Sequence, residues 1–245
     1  MTTTTTGVRA DCTARATGEI SFTITDGAGD LVLKLRDGDE ELRLETGPDG
    51  TAVLPAGTEL AEGRWDLFAD ERPVEAGIRD VRELVDRRPG SGDRVAVRIP
   101  YPTAEGRLAV RAWLRAPHAE AGDLTFTEAG CTVEGRLYGT VAGPGAVAEA
   151  RHDGRVHRVE ATCIDGVFSV TLPYGPLAEE PLDRERLWEL WLRPAEDAES
   201  VRISRILDDL WDRRNVFVYP VTAVGDHRAT PCYTADNDLC VRVTP

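Results

Sequence analysis

Short stretches of alternating apolar and polar residues recur along most of the chain. Ile20-Ser21-Phe22-Thr23-Ile24 alternates with period two, as do Leu31-Val32-Leu33-Lys34-Leu35 and Leu42-Arg43-Leu44. Turn signals separate these runs: Asp26-Gly27, Asp37-Gly38 and Pro48-Asp49-Gly50. Further strands are expected at Thr51–Leu54, Arg64–Phe68, Val95–Ile99 and Leu108–Leu114. A second series runs from Thr132–Tyr138 to Leu239–Val243. Period-two patterning with closely spaced turns predicts an all-β protein built from antiparallel sandwiches.

The pattern also repeats. Trp65-Asp66-Leu67-Phe68 returns as Trp188-Glu189-Leu190-Trp191, and Val53-Leu54-Pro55-Ala56-Gly57 as Thr171-Leu172-Pro173-Tyr174-Gly175. Val81, Leu84 and Asp86-Arg87-Arg88 match Leu207, Leu210 and Asp212-Arg213-Arg214. Thr103–Leu108 matches Thr234–Leu239. Anchors in a common order imply an internal duplication of a unit of ~120 residues, the size of one ordinary domain. The expected layout is an N-terminal tail over residues 1–16, a first sandwich over 17–115, a linker over 116–123 and a second sandwich over 124–245. The linker, Ala116 to Asp123, is drawn where Pro, Gly and small residues collect.

One segment per copy breaks the alternation. Ile78–Arg88 and Ile203–Arg214 place apolar residues at helical spacing, so a short amphipathic helix competes with a bent strand. In an all-β setting a strand followed by a turn is favoured.

Composition narrows the function classes. The chain has 245 residues, 41% hydrophobic, with a net charge of −14. Acidic residues outnumber basic ones in both halves, which disfavours nucleic acid as a partner because phosphate contacts need a concentrated basic face. No apolar stretch approaches the ~20 residues of a spanning helix, so membrane insertion is not expected. Neither a basic n-region nor an apolar h-region opens the chain, and the five cysteines are odd in number without a C-x-x-C pair. They are expected to be reduced thiols of a cytoplasmic protein.

Catalytic signatures are missing. There is no G-x-S-x-G elbow, Walker A loop, dinucleotide-binding glycine fingerprint or H-E-x-x-H. No cofactor and no metal are expected. His152 and His157 flank Asp153-Gly154, a hairpin turn signal, without an obvious third ligand. Asp236-Asn237-Asp238 opens like a calcium loop but lacks the later glycine and glutamate. Trp65 and Trp188 occupy one repeat position and are expected in the core, with Trp191 beside them. Trp113 and Trp211 have no aromatic counterpart. With His118 of the linker, and Tyr101 and Tyr233 near equivalent turns, they are the candidates for a ligand or interface surface.

Several motifs carry a family resemblance: Arg64–Phe68, Ile99–Ala104, Val133–Gly139, Trp188–Pro194 and Tyr233–Leu239. They resemble accessory regions that follow the catalytic part of actinobacterial family 2 glycosyltransferases and glycerophosphotransferases of wall-polymer synthesis. The resemblance implies two tandem immunoglobulin-like β-sandwich domains that aid oligomerisation or polymer binding. The catalytic part has no counterpart here, so transferase activity does not carry over. Two functions of different class follow. The first is a non-catalytic module that self-associates, or binds a transferase partner or a glycan polymer. The alternative is a cyclase-like enzyme that modifies natural products or peptides, with a small-molecule ligand in a crevice between the domains near Trp113, His118 and Trp211.

Overall fold

A computed structural model describes residues 7–85, 87, 94–179 and 182–245. The protein is all-β, and its residues divide into two compact units. The described residues of Met1–Gly90, Ala96–Leu114 and Leu207–Trp211 form one; those of Ser91–Val95, Arg115–Ile206 and Asp212–Pro245 form the other. The short stretch Leu207–Trp211, expected within the second sandwich, thus groups with the first unit.

The first unit holds β1 (Arg9–Ala14), β2 (Ile20–Asp26), β3 (Leu31–Leu35), β4 (Glu41–Leu44) and β5 (Thr51–Leu54). They are followed by β6 (Gly63–Ala69), β7 (Arg72–Pro73), β8 (Glu75–Asp80), β9 (Val95–Pro102) and β10 (Leu108–Arg115). One sheet has the order β5-β2-β1-β8, the other β4-β3-β6-β10-β9, with β7 against β6. Phe22, Leu31, Leu33, Trp65 and Leu67 are buried, as alternation along β2, β3 and β6 demands.

The second unit holds β11 (His118–Phe126), β12 (Gly130–Tyr138), β13 (Val147–His152), β14 (Arg155–Ile164) and β15 (Val167–Pro173). Then come β16 (Arg186–Arg193), β17 (Val201–Ser204), β18 (Thr222–Val224), β19 (His227–Tyr233) and β20 (Leu239–Thr244). Its strands run β13-β14-β15-β12-β11-β17-β16, and β16 pairs again with β13. Seven strands therefore close on themselves as a barrel, and β20, β19 and β18 extend outward from β16.

The two ladders share their connectivity. β1 pairs antiparallel with β2 and parallel with β8; β11 pairs antiparallel with β12 and parallel with β17. β2–β5, β3–β4, β3–β6 and β6–β10 have the counterparts β12–β15, β13–β14, β13–β16 and β16–β20. Register agrees as well: Leu54 faces Ile20 and Leu172 faces Cys131, while Trp65 faces Val110 and Trp188 faces Val241. The Thr103 and Thr234 turns close with the same hydrogen bonds, to Arg107 and Asp238. Gly106 and Asn237 hold their left-handed position (φ 76° and 59°). Asparagine is among the few side chains that tolerate it. Among the described residues three strand pairings have no counterpart in the first unit, β14–β15, β16–β17 and β18–β19, and the first two of these close the barrel.

Four expectations need correction. Residues 9–14 of the expected tail form β1, an inner strand between β2 and β8, with Val8, Ala10, Cys12 and Ala14 buried in alternation. Their small side chains make a weak hydrophobic signal, which hid the strand; residues 1–6 lie outside the described residues. The expected linker 116–123 runs into β11, which pairs on both sides. Its alanines and Gly122 read as linker chemistry, yet Ala119 and Ala121 are packed inside.

Neither helical pattern makes an α-helix among the described residues. Ile78 is 74% exposed on β8, and only a short 3-10 turn, Arg82–Leu84, follows. Asp86, Arg88 and Pro89 lie outside the described residues. In the second of these segments β17 ends at Ser204. The isolated bridges Glu75–Arg107 and Ser204–Asp238 align Glu75 with Ser204, which shifts the Val81–Leu207 match by three residues. Trp191, expected in the core, lies on the outer face. Strand alternation inward at Trp188, Leu190 and Leu192 forces Trp191 outward, where Arg151 and Arg202 flank its ring at 4.5 and 4.6 Å.

Close backbone approach between β12 and its neighbours gives a test. A Cβ at Gly135 would lie 2.3 Å from the Glu120 carbonyl oxygen and 2.3 Å from the Phe168 ring, whereas nothing lies within 4 Å at Gly57. Gly135→Ala should lower the unfolding free energy by about 1–3 kcal/mol or more, and Gly57→Ala should change it by less than about 0.5 kcal/mol. Urea unfolding of both variants checks the contrast.

Candidate functional site

The five candidate residues fall into two groups. Tyr101, Trp113 and Trp211 belong to the first unit, His118 and Tyr233 to the second. Tyr101 stacks on Trp211 with ring centroids 5.4 Å apart, and the Arg79 guanidinium lies 5.0 Å from the Trp211 ring. Burial pushes the Tyr101 hydroxyl pKa up. Trp113 is buried, its ring 4.8 Å from the Arg111 guanidinium. A fully enclosed ring offers no face to a ligand, so Trp113 serves the core.

His118 is likewise enclosed. Its Nε2 lies 2.8 Å from Glu120 Oε2, and the Glu120 carboxylate accepts from the Ile206 backbone N–H. The pair thus ties β11 to the chain leaving β17. Nearby, Asp238 accepts from Ser204, Arg115 and Arg202 at 2.6, 3.0 and 2.7 Å. Arg213, fully buried, donates through Nε to the Arg205 carbonyl and receives Phe217 and Tyr233 against its guanidinium. Burial pushes its pKa down to about 10. Tyr233 sits 3.3 Å from the Tyr219 hydroxyl, and burial raises its pKa. Most of these polar atoms bond to one another or to the irregular chain after β17, while His118 Nδ1 is buried without a hydrogen-bond partner, and together they hold the fold.

A more open constellation lies where β13, β14 and β16 meet. His152 stands opposite Arg155, across the hairpin whose Asp153 and Gly154 adopt positive φ. The Trp188 ring lies 5.6 Å from the His152 ring, and His152 Nδ1 is 3.0 Å from the Leu187 carbonyl oxygen. Ladder register puts Arg155 and His157 of β14, Ala150 and His152 of β13, and Arg186, Trp188 and Leu190 of β16 on one face. Ala150, Trp188 and Leu190 belong to the hydrophobic interior, so this is the inward face of the barrel. Its apolar lining ends in arginine and histidine at the hairpin end.

A cleft of about 340 Å³ opens there. Arg155, Val156 and His157 line one side and Arg186 and Trp188 another; Pro176 and Leu177 of a 3-10 turn, with Glu179, complete it. Trp188 Nε1 and His157 Nε2 are shut from solvent without a hydrogen-bond partner. An unsatisfied buried donor costs about 1–3 kcal/mol. The first unit differs at the matching place. Leu35 faces Trp65, and Trp65 Nε1 donates to the Ala61 carbonyl oxygen at 3.0 Å. The shared tryptophan position marked Trp188 as core, and it is buried, yet only in the second unit is its indole nitrogen unpartnered. Only the contrast with Leu35, against His152 in the second unit, could have signalled this from the sequence. Among the described residues no three or more His, Cys, Asp or Glu side chains gather as a metal site.

On the outer face of the same strand, Glu149 is buried and accepts from Arg151, from Arg158 at 2.9 Å and from Ser200 at 3.1 Å. Burial pushes its carboxyl pKa up, but the bonds from Arg151 and Arg158 outweigh this and hold it below the usual range. A depressed carboxylate contributes stability that is present above its unfolded pKa of about 4.3 and lost as pH falls through the lower folded value. Glu149→Gln should therefore unfold at lower urea concentration at neutral pH, by about 1–3 kcal/mol. Its deficit against the parent should shrink below pH 4, in the range where the parent's own carboxylate protonates. Urea midpoints across that range check this.

No protein-family profile matches the chain, and no curated protein matches it. Among solved structures, a pullulanase from Anoxybacillus sp. LM18-11, complexed with maltotriose, aligns with 80% of this chain and 25% of its own length, at 11% identity and a TM-score of 0.23. A likeness of that degree carries no argument about fold or function.

Proposed function

We infer that the chain is a non-catalytic module of two tandem immunoglobulin-like sandwiches, derived from one duplicated unit, that works by association. The matched ladders and their common register support the duplication. The inner position of Trp113 and His118 weighs against the cyclase-like alternative, which needs them in contact with a ligand.

One observation carries association. Val216, Val218 and Val221 are exposed, at 56, 86 and 62%, on the segment before β18. Beside them Phe126, Thr127, Pro220 and Val221 line a groove of about 690 Å³. Exposed apolar side chains gathered on one segment mark a surface that gains free energy when covered. The partner is a second copy, a transferase or a glycan polymer, in keeping with the family resemblance. Five free thiols, raised in pKa by burial, support a reducing, cytoplasmic setting.

Light scattering over a wide concentration range, with pull-down against wall-polymer glycans and transferases, tests this reading. The parent should self-associate or retain one of these partners, and Val218→Asp should weaken that association about tenfold or more. A strict monomer that retains none of them, or a Val218→Asp variant that associates unchanged, overturns it. Turnover of a small molecule would favour the enzyme instead.

A further inference from the structure

The cleft at the barrel mouth is a second feature, independent of the association surface and unaffected if that reading fails. We propose that it is a binding site for a small molecule that carries an oxyanion, a carboxylate or a phosphate, on a short apolar body.

The argument begins with the inward face of a closed ladder. Inside a small barrel, side chains fill the space, and ligands enter at the mouth. Here that face passes from Leu190 and Ala150, buried and apolar, to Trp188 and then to Arg155, His157 and Arg186. Two guanidiniums bring positive charge to one cleft of a chain whose net charge is −14. Arginine's planar fork matches carboxylate and phosphate oxygens. Among the described residues of the lining, Glu179 is acidic and Arg155 and Arg186 are basic.

Two nitrogens in the wall then ask for a partner. Trp188 Nε1 is a donor only, and neither it nor His157 Nε2 has a hydrogen-bond partner. An oxygen that reaches the floor accepts a hydrogen bond from the indole N–H, and from the imidazole too when its proton is on Nε2. Pro176, half-buried, offers apolar surface for the rest of the molecule. His152, whose Nδ1 lies 3.0 Å from the Leu187 carbonyl oxygen, sets its ring 5.6 Å from that of Trp188. The first unit provides the internal comparison. Leu35 takes the place of His152, and Trp65 already donates to Ala61, so no such site is expected there.

Indole N–H resonances in a proton–nitrogen NMR spectrum read the site directly. The chain has five tryptophans, and Trp188→Phe identifies the signal of Trp188 by its loss. Phenyl phosphate and benzoate are the probes and separate phosphate from carboxylate; benzyl alcohol and inorganic phosphate are the controls. At least one aromatic oxyanion should shift the Trp188 signal to saturation, and more tightly than either control. Arg155→Gln/Arg186→Gln, with each single variant beside it, should weaken that binding about tenfold while melting near the parent temperature. Failure of both aromatic oxyanions to move the Trp188 signal overturns the proposal. So does an equal response to benzyl alcohol, equally tight inorganic phosphate, or undiminished binding by folded arginine variants.

Discussion

Hydrogen bonding that returns to the strand where it began governs the second unit. β14 pairs with β15 and β16 with β17, so the path from β13 leads around seven strands and back. Closure removes the edges that an open sheet must otherwise protect. It also assigns each residue of a strand to the inside or the outside. Trp188, Leu190 and Leu192 go in; Glu189 and Trp191 go out. The mouth, with its cations, exists because that inside face must end somewhere. In the first unit the corresponding strands, without those two pairings, lie in two separate sheets.

The interior polar groups follow from the same backbone constraint. Where the chain leaves regular pairing, its N–H and C=O groups need partners. Arg98 supplies three bonds to the carbonyls of Pro55, Ala56 and Thr58. Glu120 receives the Ile206 N–H, and Arg213 donates to Arg205. Buried charges at such places are expensive unless fully engaged, and these are engaged by irregular backbone. Residue types that look catalytic in a sequence, a histidine beside a glutamate for instance, here bond to one another and to irregular backbone.

At the barrel mouth the unpartnered polar atoms, Trp188 Nε1 and His157 Nε2, border a cleft. Trp188 and Trp65 hold equivalent ladder positions, and the first unit shows how such an indole is satisfied by its own chain, through Ala61. The second unit leaves it beside a cleft. Equivalence of backbone with difference in hydrogen bonding separates what a scaffold needs from what a site needs.

Much of the backbone was legible in the sequence. Period-two alternation and Gly-containing turns determined an all-β chain, because strand side chains alternate whatever the tertiary context. The Trp-x-Leu and Thr-Ala turn anchors revealed matching positions, and the ladder register pairs Trp65 and Trp188 with equivalent partners. Strands of small residues, β1 and the start of β11, were not legible, since alanine carries little hydrophobic contrast and glycine reads as linker. Tertiary structure alone decided which face was inside. It set Trp191 against two arginines and sealed Trp113 and His118. It also brought Arg155, His157, Arg186 and Trp188 together from separate strands. Local pattern records the period of a strand, but the neighbours that surround it come from pairing across long stretches of chain.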